Sequence, residues 1–596
     1  METLQVEPSI AADIAADITK FEAMLQEYLA GRVEEDRFKI FRLNNGIYGQ
    51  RQGGHNQMVR VKVPYGSLRP EQLEKLADIV DTYSRGWGHI TTRQNIQFHF
   101  VQLERVPDVM RELASVGLHT REACGDTVRN VTGCHLAGAC PFEVLDISPW
   151  AEAAYRHFLH HPYAQRLPRK FKINFSGCAT DCGQAMFNDV GVVAVGRPRE
   201  DGTVEAGFRV FVAGGLGANP HAALALEPFT SREELLATIE ACLRTFDHYG
   251  NRDNKLRARM KWLVDTIGIE ELQRRIFRER KTLLASSTWP GGIPPYVAEH
   301  GDAPAGVGAG LTGGPTPVGT PVTLRLGPGT GYQRWETANV VIGVARGTVS
   351  AYAFCRLGDI TSAQFRGLAA IQREFEVEVR VTNRQNVVFR GLAPSQLASL
   401  HARLDALGMA EAGAELARDV VACPGADTCN LAVTQSRGLA DGISAALEEA
   451  GLADVGGVRI NISGCTNSCG QHHVSDIGFF GAERRAHGRA APGYQMLLGG
   501  HVGQTQVEFG QKALRLPAKA VPEAVVRVVS RYAGERQAGE AFPSWLARAG
   551  GAASVGSGLK DLDEWPTPDL APDFYVDYDE TGPYVAEVGA GECAGS

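Results

Sequence analysis

INISGCTNSCGQ (460–471) and INFSGCATDCGQ (173–184) agree at eight of twelve positions. An earlier cysteine pair precedes each of them. Cys423-x5-Cys429, in ACPGADTC (422–429), comes before Cys465-x3-Cys469, and Cys134-x5-Cys140 before Cys178-x3-Cys182. The offset between copies is 289 residues for the first pairs and 287 for the second. It is 291 between the arginines of TTRQNIQFHF (91–100) and TNRQNVVFRG (382–391). Landmarks that recur at a near-constant interval mark a duplicated chain of two halves.

Each half reads alike. RPEQLEKLADIVDTYS (69–84) has Pro70 where a helix starts and apolar residues at helical spacing. VRVKVP (59–64) and IQFHFV (96–101) alternate like strands. In the second half TSAQFRGLAAIQREF (361–375) opens with a capping box, and VEVRV (377–381) and NVVFR (386–390) read as strands. A small α/β unit therefore begins each half and a cysteine-bearing α/β unit follows. The Gly/Pro-rich stretch 287–325 reads as a linker. The acidic, aromatic tail after about 550 reads as either disordered or strapped over the body.

Thiolates hold iron–sulfur clusters, and the Gly, Pro and Asn around the late quartet suit loops that wrap a compact inorganic object. Zinc and four plain buried thiols are the alternatives, and zinc pairs are usually spaced two to four residues apart. At 596 residues several domains are expected. A net charge of −8 gives no electrostatic support for nucleic-acid binding. The N-terminus shows no signal peptide and no stretch is apolar enough to span a bilayer. The twelve cysteines, read as those of a cytoplasmic chain, point to metal or redox work and not to disulfides.

These motifs resemble the haemoproteins of the sulfite and nitrite reductase family over residues of about 40–535. The late quartet, GCTNSCGQHH (464–473) followed by DIGFFG (476–481), TTRQ, RNV (129–131) and LPRKFK (167–172) stand in that family's order. The resemblance implies an internally duplicated α+β fold. Two ferredoxin-like α/β units and two cysteine-bearing sirohaem/iron–sulfur α/β units would surround one cofactor assembly. The divisions read as a helical extension at 1–44, ferredoxin-like half-domains at 45–118 and 326–396, and cysteine-bearing domains at 119–286 and 397–540. The linker lies at 287–325 and the tail at 541–596. By resemblance Cys423, Cys429, Cys465 and Cys469 bind a [4Fe–4S] cluster, and Cys469 also bridges to the sirohaem iron.

The implied activity is six-electron reduction of sulfite to sulfide, with nitrite to ammonia as the alternative. A non-catalytic iron–sulfur electron carrier is the reading from a different class. An oxyanion substrate and a polycarboxylate tetrapyrrole both need local cations, and Arg93, Arg129, Lys170 and Lys172 stand at the family's positions for them. K-F-K also fits a strand whose lysines share a face. Lysine at both ends of that triplet leans toward sulfite. Gln94, Asn95, Gln97, His99, Asn130, Thr466, Asn467 and Gln471, with Cys469, are the implied cofactor contacts. Arg384, the counterpart of Arg93, is read as structural or cofactor-holding. His472 and His473 are not read as ligands.

Two further expectations follow from the resemblance. Tyr48 and Cys124 match a pair that is covalently joined in some ferredoxin-dependent members. Cys134, Cys140, Cys178 and Cys182 depart from the assimilatory pattern, which keeps a full quartet only in the second half, and offer a second cluster site. GAGLTGG (308–314) is a weak dinucleotide match and no flavin unit is legible, so electrons come from a ferredoxin or a separate flavoprotein.

Overall fold

The computed structural model describes residues 8–289, 291–300, 325–343, 347–503 and 506–589. Among them are four five-stranded sheets, two per half. One ferredoxin-like sheet runs Ile47–Gly49, Asn56–Val61, Ile96–Gln102, Trp87–Ile90 and then Asp359–Thr361, taken from the second half. Its counterpart runs Val340–Ile342, Val349–Ala353, Val387–Leu392, Glu378–Val381 and then Ser67–Leu68, taken from the first. Each half thus covers an edge of the other's sheet, where unpaired N–H and C=O groups would otherwise stand exposed.

The expected helices form. Pro70–Tyr83 has Pro70 in its first turn, and the Arg69 amide donates to Gln72 Oε1 at 2.9 Å. Ser362–Phe375 carries the Thr361/Gln364 capping box. Their apolar faces enter one core, where Leu76, Ile79, Val80, Phe365 and Leu368 have no exposed surface. The N-terminal helix Pro8–Leu29 adds Phe21 to the same core, and Glu35–Asn44 adds Phe38. The two ferredoxin-like units are therefore one hydrophobic body, since neither keeps a complete core alone.

The cysteine-bearing units each have a mixed sheet. In the first, Thr132–Gly133, Ile173–Ser176 and Val190–Pro198 pair in parallel, and Val204–Val212 and Leu224–Thr230 continue antiparallel. In the second, Val421–Ala422, Ile460–Ser463 and Ile477–Ala486 are parallel, followed by Arg489–Leu498 and Gln511–Pro517. In each half both cysteine pairs begin at the carboxyl ends of parallel strands, where open α/β sheets place their ligands.

Repeat-equivalent hydrogen bonds join the halves. Thr92 Oγ1 donates to the Cys469 carbonyl (2.9 Å), and its counterpart Asn383 Nδ2 donates to the Cys182 carbonyl (2.6 Å). Gln94 Nε2 donates to Val381 O (3.1 Å) and Gln385 Nε2 to Ile90 O (3.0 Å). On the pseudo-two-fold itself, Gln184 and Gln471 exchange hydrogen bonds of 2.6 and 2.7 Å.

Two sequence readings change and one left open is resolved. Lys170-Phe171-Lys172 is not a strand: Phe171 makes a single bridge to Val128 and the strand starts at Ile173. The supposed linker contains the helix Pro295–His300, which folds back on the first half with Val297 fully buried. The rest of the linker, 301–324, lies outside the described residues. The tail is a strap. Trp565 and Tyr575 cover the 477–498 hairpin. Tyr584 Oη donates to Val433 O (2.9 Å), and the Gly589 amide donates to Asn430 O (2.9 Å), just after Cys429.

Candidate cofactor and anion site

Both halves line one cavity of about 520 Å³. The second half supplies Cys423, Cys429, Cys465 and Cys469 together with Asn467 and Gln471. The first half supplies Arg93, Asn95, Gln97, His99, Arg129, Lys170 and Lys172. Arg60, Arg169, Lys255, Arg259 and Lys261 also line it, so among the described residues nine cations face the cavity and no Asp or Glu does. In a chain of net charge −8 this segregation marks a site for anions.

Asp126 pairs with Arg169 and Lys255 at the cavity's edge (3.2 and 2.8 Å), whereas Arg93 is held by uncharged groups. Arg93 donates to Asn174 Oδ1 (3.0 Å) and to the Asn130 carbonyl (2.7 Å), both uncharged. Thr91 Oγ1 accepts from the Arg93 and Asn95 amides and shapes their turn. Lys172 is positioned through its amide, which donates to buried Asp189 (3.0 Å), while that carboxylate faces Arg259 through both oxygens (3.0 and 2.8 Å). Burial first, then Arg93, Arg259 and Lys170, pull the Lys172 ammonium far below the usual lysine range. Burial and Arg129 lower the Arg93 guanidinium as well. A bound anion relieves both penalties at once.

The quartet fits a cluster better than zinc. Burial, followed by Cys469, Cys423 and Cys429, pushes the Cys465 thiol up, so the four sulfurs feel one another. Cys423 Sγ accepts from the Gly464 amide at 3.3 Å. The five residues between Cys423 and Cys429 also exceed the two to four usual between zinc-binding cysteines, and four thiolates are the donor set of an iron–sulfur cluster. Two buried donors without a protein partner, Arg93 Nε and the one N–H of the neutral His99 ring, are available to the tetrapyrrole's carboxylates. His99 stacks on Trp87 (5.6 Å), and burial with His89 pushes it down to about 3, so its imidazole is neutral.

Other expected contacts lie elsewhere. Gln94 is fully buried and spans the halves, donating to Tyr65 O and Val381 O and accepting from the Gly133 amide. Asn130 positions the arginine turn by donating to Val63 O (2.7 Å) and Arg93 O (3.1 Å). Thr466 is exposed outside the cavity. Arg384 does not reach it either and faces Glu415 and Asp419 (3.1 and 3.6 Å). His473 Nε2 contacts Gly217 O at 2.9 Å, fixing a first-half loop that lines the cavity. Tyr48 lines the cavity and shares a small apolar cluster with Cys124. Arg60 lies over the Tyr48 ring (5.3 Å) and reaches Cys124 Sγ (3.3 Å).

The first-half quartet sits in a different environment. Cys134, Cys140, Cys178 and Cys182 do not line the cavity. Glu143 occupies the repeat position of Ala432, and both its oxygens accept from the Gly138 amide between Cys134 and Cys140 (3.0 and 2.8 Å). Burial and Asp146 push its carboxyl up to about 8. Asp419 stands where the first half has Asn130, so Arg384 meets carboxylates where Arg93 meets amides. This duplicate is closed and neutralised by its own side chains. Iron and acid-labile sulfide analysis should therefore give about four irons per chain beyond the haem iron. About eight would show that the first-half quartet also holds a cluster.

The comparisons agree with this architecture. The family description "Nitrite and sulphite reductase 4Fe-4S domain" matches residues 124–283 and 413–552. "Nitrite/Sulfite reductase ferredoxin-like half domain" matches 48–116 and 345–407. An assimilatory ferredoxin-dependent nitrite reductase of Haloferax mediterranei is 28% identical, over 90% of this chain and 91% of that one. A ferredoxin sulfite reductase of Mycobacterium tuberculosis is 30% identical, over 85% and 87%. The solved structure of Mycobacterium tuberculosis NirA protein aligns with a TM-score of 0.72 at 28% identity, covering 87% of this chain and 91% of that one. A duplicated fold, a thiolate quartet and an acid-free basic cavity thus meet in one chain, and it belongs to the nitrite and sulfite reductase family of sirohaem and [4Fe–4S] oxidoreductases.

Proposed function

We propose that this chain reduces sulfite to sulfide with electrons from a ferredoxin, and that nitrite is the competing substrate. The observation that carries the substrate reading is that Lys170 and Lys172 both line the cavity with Arg93 and Arg129. Sulfite carries more negative charge than nitrite at neutral pH and has a third oxygen to hold, so it needs more charge compensation; both reductions consume protons, so close donors serve either anion. When bound, the sirohaem and its cluster supply the electrons and the metal position at which the anion is held.

The protein's part is binding and proton supply. Arg93 and Arg129 present planar donors to oxyanion oxygens. Lys170 and Lys172 neutralise the anion and hold protons at Nζ. Burial keeps these charges effective, because two unit charges 4 Å apart at an effective dielectric of 20 interact by about 4 kcal/mol. A non-catalytic electron carrier has no use for such a cavity. The donor reading rests on the relatives, which are named for ferredoxin. Among the described residues no helix is long and apolar enough to cross a membrane.

A bound anion raises the depressed pKa of Lys172 and so favours its protonated form. Affinity is then full below the free lysine's pKa and falls about tenfold per pH unit above it. Nitrite, which stays ionised throughout the neutral range, is the suitable probe. Lys172→Asn should flatten this slope and lower kcat/KM for sulfite about a hundredfold, with a smaller loss for nitrite. An unchanged slope, or equal losses for both anions, would contradict the assignment.

Tyr48 and Cys124 are the second element of the reading. A bond between Cys124 Sγ and a Tyr48 ring carbon removes two hydrogen atoms, a two-electron oxidation for which an external oxidant such as dioxygen would be the acceptor. Tryptic digestion of denatured protein should then yield the joined peptides, lighter than their sum by that amount. Separate unmodified peptides would dismiss the link.

A further inference from the structure

Three metal-ligating side chains meet on the first half, away from the cavity. His157 is in the last turn of Ser148–Phe158, His161 follows four residues later, and Glu240 belongs to Leu235–Tyr249. One ligand atom from each lies within 4.8 Å of the others, and no other such group occurs among the described residues. From this geometry we infer that His157, His161 and Glu240 form a divalent-cation site of the zinc class, independent of the redox assembly.

Two imidazole nitrogens, one carboxylate oxygen and a position open to water are a common zinc set. His157 Nε2 is 2.6 Å from Glu240 Oε2, and His161 Nε2 is 3.5 Å from Oε1. The latter is long for a hydrogen bond, and the buried Nδ1 of His161 has no partner. An ion pair alone explains His157 but leaves His161 poorly used. A cation between the three uses both rings. The Glu240 side chain is 2% exposed. A carboxylate this buried, facing two imidazoles, is a strong partner for a cation.

The surroundings match a metal site. Arg244 contacts Glu240 Oε1 (2.5 Å) and orients the carboxylate, as outer groups commonly do around metal ligands. Trp289 meets the His157 ring edge-on (5.6 Å), and Tyr163 stacks on His161 (5.9 Å). The His157 side chain is 25% exposed, which leaves an entry path and room for water. A cation here ties two helices together immediately before the segment that carries Lys170 and Lys172.

The test uses intact holoenzyme, treated with a mild chelator and then equilibrated with zinc ions. Metal analysis should find one additional zinc per chain, and its X-ray absorption should show nitrogen and oxygen neighbours. His157→Gln/His161→Gln, which keeps the Glu240–Arg244 pair, should lose that zinc while retaining sirohaem absorption. No saturable zinc, zinc with sulfur neighbours, or zinc retained by the double variant would overturn the site. Should the variant fold badly, the absorption spectrum of the wild-type protein decides alone.

Discussion

The mutual repulsion of cations around one cavity is the constraint on which the rest of this structure depends. Folding gathers Arg93, Arg129, Lys170, Lys172 and their neighbours around it, and among the described residues no Asp or Glu lines it. Such an arrangement costs free energy until an anion enters. Much of the surrounding structure serves to impose it. Asn130 and Asn174 hold Arg93 through neutral atoms, and Asp189 is fully buried against Arg259 and the Lys172 amide instead of facing the cavity. Sirohaem, with its rim of carboxylates, and an oxyanion substrate complete the charge balance that the polypeptide leaves open.

Duplication explains how one chain affords this. Two copies of the same unit exchange edge strands and share one hydrophobic body, so the second half's thiolates are carried against the first half's cations. The pseudo-two-fold created two equivalent cradles, and a few substitutions made them unequal. Where the working cradle has Ala432, the other has Glu143, and where Arg93 meets Asn130, Arg384 meets Asp419. The same fold thus holds an anion-seeking site on one side and a closed, self-neutralised one on the other. The C-terminal strap adds a further asymmetry, since its hydrogen bonds reach Asn430 and Val433 beside the late quartet.

Much of this was legible in the residues. The repeat, the capping box at Thr361, the proline start at Pro70 and the cysteine quartet are local signals, and each appears where it was read. Arg259 and Lys261 were not legible, because RARMKW carries no motif and only the packing of Met260–Ile267 brings them to the cavity. Gln94 misled by adjacency. It neighbours Arg93, but a left-handed backbone at φ 55° turns its side chain into the interface between halves. Thr466 misled in the same way, since it sits between Cys465 and Cys469 but is exposed outside the cavity. The tail could not be placed from composition, because acidic and aromatic residues suit both a disordered segment and a strap. Its order comes from tertiary contacts such as Tyr578 against Gly442 and Gly438, the latter leaving no room for a Cβ.

The central claim is that the late thiolates and the early cations serve one coupled centre. Replacing Cys469 by serine and recording the optical and electron paramagnetic resonance spectra of the purified, folded protein tests it most directly. The account expects the sirohaem absorption and the signals of the cluster to change together, because on this reading Cys469 would serve both. Spectra indistinguishable from those of the wild-type protein would contradict it.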